Sequence, residues 1–314
     1  MKISFVIPCY NSQETIEGVV VEIKEVLLSR PEVEYEIIMV SDCSPDNVYG
    51  VIEQLCTQDP VHLKGIELSR NFGQHSALMA GYSQASGDVV FSLDDDGQAP
   101  VDSVFTLLDR LESGLDVVIG SYSAKKHNFF RNYGTLVNSL MAEWLLDKPR
   151  ELQLTSFFVM RRFVVDAILN YKGPFPYLGG LMFRVTRNIV NVEVKHRERK
   201  YGVSGYTLAK LLGLWLNGFT AFSVKPLRLA SFAGFVCSVA GFIYGIWTVI
   251  KKLVFYPDAP LGYSSLMSVV LFVGGMLMLV LGLIGEYLGR IYICINKSPQ
   301  FVISRQTCGN KECA

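Results

Sequence analysis

Short apolar runs alternate with amphipathic stretches through the first third of the chain, and this alternation constrains the fold more than any other feature. The apolar runs are 3–9, 36–40, 63–68, 89–93 and 117–119, and the helical patterns between them are 14–28, 47–56, 74–84 and 101–112. Strands that alternate with helices form a mostly parallel sheet with helices on both faces. The sequence therefore predicts an α/β domain over residues 1–204.

Two long apolar runs without charged side chains, at 229–250 and 265–285, follow this domain. Each has about the 20 residues that a helix needs to cross a bilayer. A pair of buried core helices is the alternative, but two such runs in tandem after a soluble domain are rare. The sequence therefore predicts two transmembrane helices within 229–290 and a cytoplasmic tail at 291–314.

Residues 205–228 carry Leu, Trp and Phe side chains at helical spacing, with polar residues between them. This pattern predicts an amphipathic helix in the membrane interface, and a helix packed on the α/β domain is the alternative. Two spans place both termini on one side of the membrane, and the lysines and arginines that flank the spans favour the cytoplasmic side. We therefore expect a multi-pass membrane protein with its α/β domain in the cytoplasm.

The formal net charge is zero, so nothing in the composition favours nucleic acid as a partner. The seven cysteines are scattered and suggest no disulfide framework, which favours a reducing compartment. Cys308 and Cys313 are a weak candidate for a metal site because no second cysteine pair accompanies them.

Three consecutive carboxylates, Asp94, Asp95 and Asp96, follow the apolar run that ends at Leu93. Carboxylates at the C-terminal end of a strand can hold a hard divalent cation through their oxygen atoms. Open α/β sheets bind their ligands at this same edge. The sequence therefore predicts a site for a metal ion and a phosphorylated substrate.

Two further loops are expected at the same edge. The loop after the first strand contains the candidate residues Pro8, Tyr10, Asn11 and Glu14. Asp42 ends the second strand, where a carboxylate can hold the base or ribose of a nucleotide. Asp42 and Asp46 are, alternatively, turn and helix-capping residues.

Six motifs, in order along nearly the whole chain, resemble glycosyltransferase family 2. The resemblance is narrowest to the branch that contains dolichyl-phosphate mannosyltransferase and the bacterial polyprenyl-phosphate glycosyltransferases. The matching residues are Pro8, Tyr10, Asn11 and Glu14; Arg70, Asn71, Phe72 and Gly73; Asp94, Asp96, Gln98 and Pro100; His196, Arg199, Gly202, Ser204 and Tyr206; Phe222, Ser223, Pro226, Leu227 and Arg228; and Gly285, Glu286, Tyr287, Gly289 and Arg290.

The resemblance implies the nucleotide-sugar-binding fold called GT-A, and an enzyme that transfers a sugar, with inversion, from a nucleotide-diphosphate sugar to a polyprenyl phosphate of the undecaprenyl or dolichyl type. It implies a bacterial inner or plasma membrane and a homo-oligomer, with a tetramer as one candidate. Because two helices are a poor route for a glycolipid across the bilayer, we also expect a separate flippase for the product. The implied donor contacts are Pro8, Tyr10, Asn11, Glu14, Asp42, Arg70, Asp94 and Asp95, of which we expect Asp95 to matter least.

The resemblance also implies three further groups of site residues. Mg²⁺ or Mn²⁺ would bind Asp94, Asp96 and Gln98. The acceptor phosphate would bind Arg131, Ser139, Arg199 and Ser204. Because a phosphate needs cations beside it, Lys125, Lys126 and Arg197, which lie outside the matched motifs, are further candidates. The catalytic residues would be Asp96 and Arg131, and we add Ser156, which stands at the position of a family aspartate.

Two serines depart from the family pattern. Ser41 stands where many relatives have an aspartate, and Ser156 stands where relatives often have an aspartate proposed as the catalytic base. A sugar hydroxyl needs such a base, but a phosphate monoester, with a second pKa of about 6, is already largely ionised. We therefore expect Ser156 to position a phosphate or a sugar. A glycerolipid hydroxyl as the acceptor, or a non-catalytic scaffold that binds nucleotide sugars, are the alternatives.

Overall fold

The computed structural model describes residues 1–122, 149, 152–195, 225–250, 262–296, 298–308 and 311–312. The chain divides into two compact units. The first combines Met1–Thr207 with Lys297–Ala314, and the second is Leu208–Asn296.

The first unit is an α/β domain. Its strands are β1 (Lys2–Cys9), β2 (Glu34–Ser41), β3 (Leu63–Leu68), β4 (Val89–Ser92), β5 (Val117–Tyr122), β6 (Phe158–Arg161), β7 (Ile189–Val194), β8 (Ile303–Cys308) and β9 (Lys311–Glu312). Its helices are α1 (Ile16–Leu27), α2 (Val48–Gln58), α3 (Gln74–Gln84), α4 (Val104–Glu112), α5 (Arg162–Leu169) and α6 (Leu178–Val185), with a 3-10 turn at Val101–Ser103. The predicted alternation of strands and helices up to β5 is confirmed.

The described strands form one sheet in the order β7-β5-β6-β4-β1-β2-β3-β8-β9. β1 lies between β2 and β4 and is parallel to both, whereas β6 and β8 are antiparallel to their neighbours. The sheet is therefore mixed, and the prediction of a mostly parallel sheet needs this correction. The antiparallel strands lie outside the segment in which strands and helices alternate, so that pattern did not reveal them.

Helices cover both faces of the sheet, as predicted. On one face Ile3, Phe5 and Ile7 of β1 join the core with the buried side chains of α1 and α4. On the other face α3 packs so closely on β1 that a Cβ atom at Gly81 would lie 2.3 Å from Val6 Cγ1. Strand β1 is buried from Ile3 to Cys9, and apolar there except for Ser4, because it is covered on both faces.

Part of the segment 291–314, which the sequence predicts to be a tail, is a strand of the first unit's sheet. Residues 303–308 form β8, which pairs antiparallel with β3. Thr307 Oγ1 accepts a hydrogen bond from the Gly65 amide at 3.0 Å, and Arg305 Nε donates to Glu67 Oε2 at 2.6 Å. Because this pairing joins residues far apart in the sequence, local composition at 303–308 did not indicate it.

The second unit contains the helices α7 (Lys225–Ile250) and α8 (Tyr263–Ile295). Among the described residues, Phe272–Ile295 is long and apolar enough to cross a membrane by its length and composition, and α7 holds a shorter apolar stretch, Ala230–Tyr244. Large apolar side chains on α8 are exposed, including Met278 at 73%. The interface helix predicted at 205–228 lies outside the described residues except for 225–228, which begin α7.

Candidate active site

The loops that follow β1, β2 and β4 lie together at one edge of the sheet, as predicted. The order of strands reverses between β1 and β4, which is where open α/β sheets form a ligand-binding crevice. The Tyr10 amide donates to Asp95 Oδ2 at 2.9 Å, and so joins the loops after β1 and β4. The Gln13 amide donates to Asp46 Oδ2 at 2.9 Å, and so joins the loops after β1 and β2.

The predicted donor contacts after β1 are mostly accessible. Pro8 is buried near the end of β1, whereas Tyr10, Asn11 and Glu14 are exposed. Asn11 adopts a positive φ of 55°, and its amide donates to Ser44 Oγ at 2.8 Å. The turn therefore leaves the Tyr10 and Asn11 side chains facing solvent beside the crevice.

The loop after β4, residues 94–98, is called the acidic loop below. Its first residue, Asp94, is held by two hydrogen bonds. Gln74 Nε2 donates to Asp94 Oδ1 at 2.7 Å, and Ser156 Oγ donates to Asp94 Oδ2. Burial and the negative charges of Asp96 and Asp95 raise the pKa of Asp94 to about 6, although these two hydrogen bonds oppose the shift. A cation beside these carboxylates would relieve their mutual repulsion.

Asp96 and Gln98 form the turn that ends the acidic loop. The Gln98 amide donates to Asp96 Oδ1 at 3.0 Å, and Gly97 between them has a φ of 70°, which favours glycine. The described residues contain no group of three or more His, Cys, Asp or Glu side chains placed to hold a metal ion. The candidate set of Asp94, Asp96 and Gln98 still fits Mg²⁺ or Mn²⁺, since Mg²⁺ is commonly bound by one or two carboxylates together with substrate phosphates.

Asp95 has a structural role that the sequence did not indicate. Its carboxylate accepts the hydrogen bond from the Tyr10 amide, and burial raises its pKa. The side chain therefore fixes the position of the loop after β1 against the loop after β4.

Asp42 likewise orders a loop. It is buried at the end of β2, and its two oxygens accept hydrogen bonds from the amides of Phe72 at 2.7 Å and Gly73 at 2.8 Å. Gly73 has a φ of 91°, so a side chain there would be strained. Burial raises the pKa of Asp42, and the two amide hydrogen bonds partly offset the shift. Its contact with a base or ribose stays a prediction.

Arg70 begins the loop that Asp42 holds. The guanidinium lies 4.6 Å from the centre of the Phe72 ring, and the residue is exposed. Stacking on the ring restricts the otherwise flexible Arg70 side chain, and an ordered guanidinium is well placed to bind a phosphate.

Several predicted residues lie outside the described part of the chain, and their roles stay predictions. They are the phosphate-binding candidates Arg131, Ser139, Arg199 and Ser204, and the weaker candidates Lys125, Lys126 and Arg197.

The sequence analysis missed three side chains beside the acidic loop. Gln74 contacts Asp94 directly, and its neighbour His75 lines a cavity at the same place. Tyr122 ends β5, and burial with the charges of Asp94 and Asp96 raises its pKa to about 12. Gln74 and His75 directly follow the matched motif at 70–73, and that proximity was the available signal.

The sheet and its acidic loop define a GT-A-like fold. The structure resembles the crystal structure of mannosyl-3-phosphoglycerate synthase from Rubrobacter xylanophilus, with a TM-score of 0.52, over 70% of this chain and 73% of that one, at 17% identity. Residues 4–169 match the model for Glycosyl transferase family 2, and residues 225–291 match the GtrB C-terminal hairpin.

Curated relatives match almost the whole chain. An undecaprenyl-phosphate 4-deoxy-4-formamido-L-arabinose transferase from Proteus mirabilis is 33% identical over 97% of this chain and 93% of the relative. A prophage-derived bactoprenol glucosyl transferase from Shigella flexneri is 33% identical over 99% of this chain and 100% of the relative. The chain belongs to glycosyltransferase family 2, and it is a glycosyltransferase.

Proposed function

We propose that this protein transfers a sugar from a nucleotide-diphosphate sugar to a polyprenyl phosphate at the cytoplasmic face of a membrane. One observation carries the proposal. The same chain contains an acidic loop at the point where the strand order reverses, and an exposed apolar helix long enough to cross a membrane. The loop suits the diphosphate of a donor, and the helix suits a lipid acceptor. The names of the relatives, which refer to undecaprenyl phosphate and bactoprenol, support this acceptor.

Asp94 and Asp96, with Gln98 nearby, would hold Mg²⁺ or Mn²⁺ beside the donor's diphosphate. When bound, the cation neutralises the charge that develops on the leaving β-phosphate oxygen. Gln74 and Ser156 keep the Asp94 carboxylate in place through their hydrogen bonds. Arg70, stacked on Phe72, adds positive charge for a phosphate.

The reaction needs no protein base. An oxygen of the acceptor phosphate forms a bond to the anomeric carbon, while the bond from that carbon to the β-phosphate oxygen breaks. The electron pair leaves with the nucleoside diphosphate, and a direct displacement inverts the anomeric carbon. Because the attacking phosphate is already ionised near neutral pH, Ser156 is a positioning residue for Asp94 in this proposal.

The Ser156→Ala variant tests this role. It should keep at least roughly a tenth of the wild-type transfer rate, because it loses one hydrogen bond to a carboxylate that Gln74 still holds. The rate is measured with purified full-length protein, a labelled donor and polyprenyl phosphate. Complete loss of transfer in a folded Ser156→Ala protein would show that Ser156 takes part in the chemistry.

The membrane arrangement is also a proposal. We infer that α7 and α8 form a two-helix membrane hairpin, with the α/β domain and both termini in the cytoplasm. The match of residues 225–291 to a C-terminal hairpin family supports this pairing. To test this, a reporter enzyme that works only in the cytoplasm is fused to the C-terminus. We expect the fusion protein to show reporter activity. The homo-oligomer and the separate flippase stay predictions.

One assay tests the acceptor. Purified protein is incubated with Mg²⁺ or Mn²⁺, a panel of nucleotide sugars, and either polyprenyl phosphate or diacylglycerol, with EDTA as the control. We expect product on polyprenyl phosphate alone, and no product with EDTA. Product on diacylglycerol would favour a hydroxyl acceptor, and nucleotide-sugar binding without product on either lipid would favour a scaffold. The sugar is left open by the relatives, whose names give a formamido-arabinose in one case and a glucosyl group in the other.

A further inference from the structure

The segment 298–302, which leads into β8, lies at the edge of the sheet that carries the acidic loop. Strand β8 begins at Ile303, which pairs with Leu68, the last residue of β3. The Ser69 amide donates to the Val302 carbonyl at 2.8 Å. Because β1, β2, β3 and β4 are parallel, β3 ends at the same edge as β4, and the acidic loop follows β4.

The loop 170–177, which joins α5 to α6, reaches the same edge. Tyr177 lines a cavity together with Ser156, and Ser156 donates a hydrogen bond to Asp94 at the start of the acidic loop. The topology accounts for this placement. Because β6 is antiparallel to β4, α5 begins at the edge where β4 begins, and it leads back towards the edge where β4 ends.

The side chain of Gln300 joins this loop to the segment before β8. Its Nε2 atom donates to the Gly173 carbonyl at 2.9 Å and to the Tyr171 carbonyl at 3.4 Å. The loop is also closed on itself, because the Tyr171 hydroxyl donates to the Phe175 carbonyl at 3.3 Å. Phe175 is therefore presented on an ordered turn.

Two exposed apolar side chains flank the Gln300 contact. Phe175, two residues after Gly173, is 45% exposed, and Val302, two residues after Gln300, is 41% exposed. Lys172 is exposed as well. A single apolar side chain on a surface is ordinary. A surface that combines apolar and aromatic side chains with lysine is typical of proteins that lie against a membrane. We call Lys172, Phe175 and Val302 the docking surface.

The sequence ties the docking surface to a candidate membrane span. Helix α8 contains the stretch Phe272–Ile295, which has the length and composition to cross a membrane. The helix ends at Ile295, five residues before Gln300. A chain of five residues spans at most about 18 Å even when it is fully extended. In the membrane arrangement proposed above, the span therefore ends within that reach of the docking surface.

We propose that Lys172, Phe175 and Val302 lie in the headgroup region of the membrane and hold the acidic-loop edge of the α/β domain against it. The inference rests on the membrane arrangement proposed above. The apolar side chains gain free energy by leaving water, and the lysine is attracted to anionic lipid headgroups. This contact would present the acidic loop to an acceptor phosphate that stays at headgroup level.

Fluorine NMR on the full-length protein, in nanodiscs that contain phosphatidylglycerol, tests where the docking surface lies. Phe175, Leu28 and Met278 are replaced, one at a time, by 4-trifluoromethylphenylalanine. The lipids carry a nitroxide either at the headgroup or near the end of an acyl chain. We expect the headgroup label to relax the probe at 175 several-fold more than the probe at 28, and the chain label to relax the probe at 278. Leu28 is the matched control because it is 78% exposed and follows α1 at the opposite edge, where β2 begins.

Each other outcome of this experiment overturns a stated part of the inference. A probe at 278 that neither label relaxes would overturn the membrane arrangement and the docking surface with it. A relaxed probe at 278 with equally weak effects at 175 and 28 would overturn the docking surface alone. A signal from 175 that ignores both labels but shifts when two copies share one nanodisc would assign this surface to a contact between copies. None of these results depends on sugar transfer.

The Phe175→Asp variant measures what the docking surface contributes to transfer. In vesicles it should lower the rate of transfer to polyprenyl phosphate roughly tenfold, the factor expected when a phenylalanine side chain no longer gains from leaving water. With a short-chain acceptor in detergent its rate should equal that of wild type, because no bilayer surface is present. Leu28→Asp is the control and should match wild type in both assays.

An equal loss for Phe175→Asp in vesicles and in detergent would assign Phe175 a structural or catalytic role, and would overturn the inference. If wild type forms no lipid product in either assay, the proposed function fails, and the fluorine signals still decide whether the docking surface lies at the membrane.

Discussion

Replacing Asp96 with asparagine should lower the rate of sugar transfer to polyprenyl phosphate by roughly a thousandfold, the cost of removing a main electrostatic contact to a developing negative charge. Asparagine has almost the same shape and can still accept the hydrogen bond from the Gln98 amide, so the turn at Gly97 should survive. What it lacks is the charge with which Asp96 would hold a divalent cation. The rate is measured with a labelled donor over a titration of Mg²⁺ and of Mn²⁺.

Two further variants show whether the effect is specific to Asp96. Asp109→Asn removes a surface carboxylate that is paired with Arg30, and it should transfer sugar at the wild-type rate. Asp95→Asn should have a much smaller effect than Asp96→Asn, because an amide oxygen can still accept the hydrogen bond from the Tyr10 amide. An Asp96→Asn protein whose rate lies within a few-fold of wild type would contradict the assignment of the acidic loop to the donor's diphosphate.

The sequence predicted the central part of the fold because the signals there are local. Strands β1 to β5 are short apolar runs, and helices α1, α2 and α4 show a 3.6-residue hydrophobic period, so these elements could be recognised from their own residues. Strands β6 and β8 could not be recognised in this way. Strand β8 lies after the membrane-like helices in the sequence, yet pairs with β3, and only the folded chain reveals that pairing.

The candidate site shows the same difference between residues with a local sequence signal and contacts that only the folded chain reveals. The carboxylates Asp94 and Asp96 were found because they directly follow a strand in a matched motif. The contacts that hold the site were not found, since each joins residues that are distant in the sequence. Asp42 contacts the amides of Phe72 and Gly73, and Ser156 contacts Asp94. A motif indicates which residue types are present, whereas the partner of each side chain depends on packing.

Glu36 was missed for a related reason. A carboxylate in an apolar strand is usually interpreted as a solvent-facing residue, but the Glu36 side chain is only 2% exposed. Ser4 Oγ and the Ser86 amide each donate to Oε1 at 2.6 Å, and Lys64 Nζ donates to Oε2 at 2.7 Å. Glu36 therefore links β1, β2, β3 and the loop before β4, at the edge of the sheet opposite to the acidic loop.

The Glu36→Gln variant should lose about 3 kcal/mol in its free energy of unfolding at pH 7, as expected when one partner of a buried ion pair is removed. Burial alone would raise the pKa of Glu36, but the hydrogen bonds from Lys64, Ser4 and Ser86 lower it from 4.5 to about 2. The folded protein thus binds this proton less tightly than the unfolded chain does. The stabilisation is complete above about pH 5 and is lost as the pH falls from 4.5 towards 2.

Denaturant unfolding of the full-length protein in detergent, followed by circular dichroism at several pH values, measures this difference. The gap between wild type and Glu36→Gln should be constant from pH 7 to pH 5 and should narrow below pH 4.5, because glutamine does not titrate. Glu34→Gln is the matched control, since Glu34 lies on the same strand and is exposed. A gap that stays constant as the pH falls would mean that the variant is destabilised by poor packing. A gap that narrows only for Glu36→Gln assigns the loss to the charge that Lys64 and its neighbours hold in the core.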